Sequence, residues 1–424
     1  MVLNTVNEIR NFTVGILAIW ILIVPAQAGV LFTNLFSFSG TNGIEPQGPL
    51  LQASDGNLYG MARETTHDKY GNGGFGFYGH GTVFRITTNG FFTTLASFAA
   101  LNDTNGYGAN SLAGLIEGDS GNFYGTTPWG GKFKQGTIFK VTSNGVLNFL
   151  ASFAGTNGSY PQAALLRGPN NILYGTTFAD GPKRIIPLET RFNYDAGKVF
   201  SINYRGEIKT LVSFNEANGS RPCNRLIQGK DGNLYGTTGS GGLQYIVPTD
   251  NGMPTGRGTV FKIAPDGAMS TLIVFNGCNG IGPSSLIQSS DGSLYGITSI
   301  GGATNTANMN ESYSWEPYSG EGTVFKITPS GKFSILVLFV GANGKNPNSF
   351  ILGKDGNFYG TTASTIFKMT PSGKLTTLYS FTEGSGTWPN HSTLMQGADG
   401  NLYGTTSRCG KNQCGSIFRL SIEN

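Results

Sequence analysis

Residues 29–38 read GVLFTNLFSF, and a stretch of the same pattern, PSGKLTTLYSF at residues 371–381, closes a repeated unit towards the other end of the chain. In that later copy it is the third of three blocks. The first block carries a Tyr-Gly pair in a DGNLYG-like setting and recurs seven times, at Tyr59, Tyr124, Tyr174, Tyr235, Tyr295, Tyr359 and Tyr403, with spacings of 44 to 65 residues. The second block follows each pair: GTVFRIT from Gly81, GTIFKVT from Gly136, GKVFSIN from Gly197, GTVFKIA from Gly258, GTVFKIT from Gly322, STIFKMT from Ser364 and GSIFRLS from Gly415. The third block follows only six of the seven. Its missing copy is the stretch at 29–38, which stands without partners at the opposite end.

Each unit reads as four short strands. Strand a is an SLIQ-like stretch (Ser285 to Gln288), strand b is NLYGTT, strand c is GTVFKIT and strand d is the LTTLYSF stretch, with Asp-Gly or Ser-Gly at the a–b and c–d turns as tight hairpins require. The chain order is d, then a-b-c-d six times, then a-b-c. That makes seven fours only if the first strand joins the last three. A linear stack gains nothing from dividing a unit between its ends, whereas a ring closes itself this way and leaves no unfinished edge. The reading is all-β: a seven-bladed β-propeller of four-stranded antiparallel blades, closed by the N-terminal strand joining the last blade.

Composition agrees. Of 424 residues, 65 are Gly, 12% are charged and 38% are hydrophobic. Glycine at this level opposes long helices, and the apolar share is ample for a core, which excludes a disordered chain. Net charge is +4 with no cluster of Lys or Arg, so nucleic acid is excluded as a partner. Phe12 to Val24 form an apolar run, preceded by Arg10 and followed by Pro25 and Ala26-Gln27-Ala28. This is the order of a secretory signal, and it is too short to span a bilayer. Residues 1–28 are therefore expected to be a cleaved signal peptide and 29–424 a single propeller domain, monomeric, without an integral membrane segment, and secreted or held in the periplasm or at the cell surface. In an oxidising compartment, Cys409 and Cys414, which bracket GKNQ, predict a local disulfide, and Cys223 with Cys278 a second one.

The recurring positions have scaffold roles. Gly inside a strand marks close approach by a neighbouring group, and the Gly after each Tyr is expected to admit the strand-c Phe of the next blade. The Asp of DGN (Asp55, Asp231, Asp291, Asp355, Asp399) is read as a turn residue and not as a calcium or catalytic carboxylate. The d–a connection repeats Phe, Asn-Gly and Pro, as at Phe38, Asn42, Gly43 and Pro46, with Pro setting the entry into strand a.

The string DGNLYGTT, a Gly-rich spacer, GTVFKITPSG and then LYSF closely resembles the GloVer tandem repeat of exported bacterial proteins, named for Gloeobacter and Verrucomicrobia. The resemblance covers nearly the whole mature chain. It implies an exported, propeller-like bacterial protein and implies no activity. More distantly, the pattern is similar to virginiamycin B lyase propellers, with Tyr-Gly in place of their Trp-Phe and no position matching a lyase catalytic residue.

With strands ordered outward from the axis, the b–c and d–a connections share one face, and the variation between units is confined to them. Function on a rigid scaffold belongs to such loops. They hold aromatics that the repeat does not explain, among them Tyr70, Phe77, Trp129, Tyr245, Trp315, Tyr318 and, with Tyr160 in a d–a connection, Trp388. Surrounded by Asn, Gly and Thr, they make a neutral recognition surface suited to a glycan or a protein; the bland alternative is that they pack the long loops onto the blades. His67, His80 and His391 fall on this face in adjacent blades and are the only candidates for acid-base or metal chemistry, but they lack His-x-His or His-Glu-x-x-His spacing. No catalytic residue, metal or cofactor is assigned. Three functions remain open: a non-enzymatic binding module, a secreted lyase or hydrolase with a site on the same face, and a structural envelope protein.

Overall fold

The computed structural model describes residues 29–46, 48–63, 81–98, 113–180, 196–222, 224–242, 256–302, 320–381, 394–407 and 414–422; the expected signal peptide lies outside them. The described strands form seven separate sheets of four, each antiparallel. Blade 4 shows the pattern, with strands a to d at Ile227–Gln228, Leu234–Thr238, Thr259–Ile263 and Met269–Val274. Six blades are continuous in the chain. The seventh is composite: Leu394–Gln396, Leu402–Thr406 and Ser416–Ile422 are completed by Val30–Ser37. Register runs from Val30 opposite Ile422 to Ser37 opposite Ser416. Just past it, the Phe38 amide donates to the Gly415 carbonyl at 2.9 Å. The seven-bladed propeller and its closure are as the repeat count predicts.

The core lies between blades. Successive side chains on a strand point to opposite faces, so the Tyr and Gly of each strand-b pair serve different neighbours. Tyr faces the following blade: Tyr59 stacks on Phe123 at 4.1 Å between ring centroids, Tyr124 on Tyr204 at 5.0 Å, and Tyr403 of the last blade packs with Leu58 and Phe84 of the first. The glycine admits a strand-c Phe, but that of its own blade and not, as expected, of the next. Gly60 and Phe84 are paired directly across the sheet, and a Cβ on Gly60 would stand 2.5 Å from Phe84 Cζ. The same encounter recurs at Gly125, Gly175, Gly236, Gly296, Gly360 and Gly404. Cross-strand partners share a face, which places each strand-c Phe toward the preceding blade. There it meets, edge-on or tilted, the Phe that ends strand d: Phe38 with Phe84 at 5.6 Å, Phe98 with Phe139 at 5.0 Å, Phe153 with Phe200 at 5.2 Å, and so on to Phe381 with Phe418 at 6.1 Å.

The aspartates hold the a–b turns, as read. Asp55 accepts from the Asn57 amide at 2.9 Å, from Asn57 Nδ2 at 2.8 Å and from the Tyr59 hydroxyl at 2.7 Å. Asp231, Asp355 and Asp399 repeat the arrangement. Burial alone would push Asp55, Asp231 and Asp399 up; the donated hydrogen bonds outweigh it and hold these carboxyls below the ordinary carboxylate value. The phenols of Tyr59, Tyr235 and Tyr403 are pushed up to about 12, first by burial and then by bonding to aspartate. These turns are also joined around the ring. The Ser54 amide donates to Glu117 at 2.9 Å, Lys230 to Gln288 at 2.9 Å and Lys354 to Gln396 at 2.8 Å. Ala398 donates to Gln52 at 2.7 Å, which ties the last blade to the first.

Two outcomes follow from this packing. Gly60→Ala should destabilise the fold by about 1 to 3 kcal/mol through overpacking against Phe84, measured by urea unfolding; an unchanged midpoint would show that the Gly–Phe approach is slack. A phenol whose pKa is raised by folding stabilises the folded chain fully below its ordinary pKa and loses that contribution as pH rises through the folded value. The melting temperature should therefore fall as pH rises from 10.0 towards about 12, and combined Tyr59→Phe, Tyr235→Phe and Tyr403→Phe changes should flatten that fall.

Candidate functional site

The a–b and c–d turns are tight and lie on one face of the ring; the b–c and d–a connections lie on the other, here called the loop face. A repeated lock builds it. Where a d–a connection meets the proline that precedes strand a, Glu45, Tyr160, Arg221 and Asn346 adopt φ of 45°, 56°, 56° and 50°, and Gly282 takes the same place at 60°. Such left-handed backbone costs about 1 to 3 kcal/mol outside glycine and persists only where its surroundings enforce it. Here the amide of each residue donates to the carbonyl just ahead of strand c in the preceding blade: Glu45 to Cys414 at 2.8 Å, Tyr160 to Gln135 at 2.9 Å, Arg221 to Ala196 at 2.9 Å and Asn346 to Glu321 at 2.7 Å. The proline then lies over the glycine that opens that strand; a Cβ on Gly136 would stand 2.5 Å from Pro161 Cδ. Proline thus does set the entry into strand a, and it also docks one blade on the previous one.

The side chains at these locked positions vary. Glu45 pairs with Arg63 at 2.9 Å. Tyr160 meets Trp129 edge-on, with centroids 4.6 Å apart. Trp129 is 40% exposed although its backbone is anchored, since the Thr127 hydroxyl donates to its carbonyl at 2.8 Å and also bonds Thr137 at 2.7 Å. The path continues into the next blades: the Phe178 amide donates to the Tyr160 carbonyl at 3.1 Å, and the Arg221 guanidinium lies 5.6 Å over the Phe178 ring. Trp129 with Tyr160 and Phe178 with Arg221 are thus two side-chain contacts, tied together by a backbone bond, across blades 2 to 4. Phe133, in the same b–c loop as Trp129, is also exposed and has the Lys132 ammonium 5.4 Å from its ring.

Lys198 meets Asp180 at 3.3 Å. Burial pushes Glu216 up, against the opposing pull of the Ser220 hydroxyl bonded to it at 3.1 Å and of Arg221. Among the described residues, no group of three or more His, Cys, Asp or Glu is placed to hold a metal ion.

Of the residues expected to bind ligand, Trp129 is described and exposed; Tyr70, Phe77, Tyr245, Trp315, Tyr318 and Trp388 lie outside the described residues, as do His67, His80 and His391. Each predicted cysteine pair has one member outside them, Cys223 and Cys409; Cys278 and Cys414 are half-buried on the loop face. Sequence reasoning missed Phe178 and Arg221. The signal was available, because Arg221 occupies the pre-proline place that Tyr160 and Glu45 hold in other units.

Comparison with known proteins agrees with the geometry. The sequence matches the Gloeobacter/Verrucomicrobia repeat over residues 23–185, 189–309 and 308–424. No curated protein matches it. Among solved structures, a streptogramin B lyase is 14% identical with a TM-score of 0.58, over 94% of this chain and 99% of that one. An inactive virginiamycin B lyase from Staphylococcus aureus, solved with quinupristin, is 12% identical with a TM-score of 0.57, over 93% and 99%. The extracellular domain of a protein assigned as a hybrid two-component system from B. thetaiotaomicron is 10% identical with a TM-score of 0.53, over 91% of this chain and 39% of that one. At such identities the likeness concerns the fold alone. The repeat match runs through all seven blades in three consecutive segments, and the chain belongs to the Gloeobacter/Verrucomicrobia repeat family.

Proposed function

We propose that the protein is an exported, non-enzymatic binding module that holds a glycan on its loop face. The observation that carries this reading is Trp129: a large aromatic, 40% exposed, braced edge-on by Tyr160 and anchored through Thr127. An aromatic ring kept exposed on a rigid base offers a flat apolar face at little entropic cost, which suits the C–H face of a sugar ring. Phe178 and Arg221 make a second such contact in the following blades, and the other residues expected to bind fall in b–c and d–a connections of the sequence. Residues 1–28 support export by their signal-like order of charged, apolar and small residues.

The test is a glycan and cell-wall binding screen with the secreted chain. Trp129→Ala should weaken the retained ligand by tenfold or more, as loss of a central aromatic anchor costs about 2 kcal/mol. Phe91→Ala, at a 72% exposed Phe in a c–d turn of the opposite face, should leave binding unchanged. Retention of no glycan, or equal loss in both variants, would overturn the reading; a polypeptide held through Trp129 would reassign the ligand class, and release of cleaved sugar would favour an enzyme.

A further inference from the structure

The inner edge of the ring carries one cation that nothing so far explains. Strand a is the edge of each sheet nearest the axis, and the a strands of successive blades approach one another. Each enters from the loop face and places a buried apolar residue first: Leu50, Leu115, Leu165, Leu226, Leu286, Phe350 and Leu394. The residue just before it stands where the innermost strand begins. Around the ring this residue is Pro49, Gly114, Ala164, Arg225, Ser285, Ser349 and Thr393, the last lying outside the described residues. Six of the seven are small or neutral, and Arg225 alone is charged.

Arg225 is the exposed member of the described set. Even so, desolvation by the surrounding protein pushes its guanidinium down, and among the described residues no carboxylate or hydrogen-bond partner is found for it. A group open to water yet crowded by protein sits in a concavity. The residue before it is fixed from both sides: the Asn224 carbonyl accepts from Thr176 of blade 3 at 3.5 Å, and Asn224 Nδ2 donates to Thr237 at 3.0 Å and to the Pro283 carbonyl of blade 5 at 3.2 Å. Crowding a cation with protein is costly unless an anion compensates it, and the described residues supply none.

We infer that Arg225 is an anion-binding residue at the centre of the loop face, taking the carboxylate of an acidic sugar unit in the bound glycan. A guanidinium presents a planar fork that matches a carboxylate through two parallel N–H···O bonds. The equivalent positions carry no further cation, and that of the next blade is Ser285, which suits a single negative charge. This inference rests on the loop-face reading for the ligand class and adds the charge that the ligand carries.

Titration calorimetry of the secreted chain with hexagalacturonate and with cellohexaose tests it. The acidic hexamer should bind at least tenfold more tightly at low salt, with the preference shrinking as salt screens it. Arg225→Gln should abolish that preference without changing cellohexaose binding, and Arg225→Lys should retain part of it. Because the cation has no partner among the described residues, Arg225→Gln should melt at or above the wild-type temperature. If glycans bind and depend on Trp129 but the acidic preference is absent or survives Arg225→Gln, the Arg225 assignment fails and the loop-face reading stands. If neither hexamer nor any other glycan binds, both fail.

Discussion

The strand-c phenylalanine is the contact on which the ring depends. On its own sheet it lies across a glycine that has no side chain to oppose it, and on the other side it meets the phenylalanine ending strand d of the preceding blade. Remove the space at the glycine and the ring must tilt; tilt it and the blade-to-blade aromatic pair is lost. Seven copies of one constraint set the spacing of seven blades, and tyrosine on the opposite face of strand b completes each interface from the other direction. A close-packed interior transmits such local geometry without slack, which is how a short repeat with little charge can specify a large closed structure.

Closure adds what the repeat alone lacks. Val30–Ser37 paired with Ser416–Ile422, the Ala398 to Gln52 bond and the Glu45 to Cys414 bond join the two ends of the chain at the outer strand, the turn face and the loop face respectively. The scaffold so formed can carry strained backbone on its loop face. At four of these locks a non-glycine residue held at positive φ is tolerated because an amide bond and a proline contact enforce it, and the side chain at that place differs from unit to unit. Tyr160 and Arg221 are two of these: Tyr160 packs against Trp129, and Arg221 lies over Phe178.

Most of the architecture was legible in the residues themselves: the number of blades from the Tyr-Gly count, the closure from one displaced strand, and the turn role of Asp55 and its equivalents from Asp-Gly chemistry. The glycine of the pair shows where such reading stops. The period of the strand shows that a group must approach, and aromatic content points to the strand-c Phe, but which blade owns that Phe depends on cross-strand register, which no single strand encodes. The candidate site was less legible. Trp129 stood out by type, whereas Phe178, Arg221 and Arg225 gained meaning only from neighbours distant in the chain.

By itself, then, the sequence determined the unit, its seven-fold repetition and the joining of its ends, because periodic patterns and turn residues act over a few positions and repeat in register. Tertiary structure alone decided which faces of the blades meet, that Arg225 stands exposed with no partner among the described residues, and that Trp129 is braced and still exposed. These are properties of the space between elements. They arise from packing across blade interfaces, where residues tens of positions apart fill or leave open the same volume, and no local pattern carries that information.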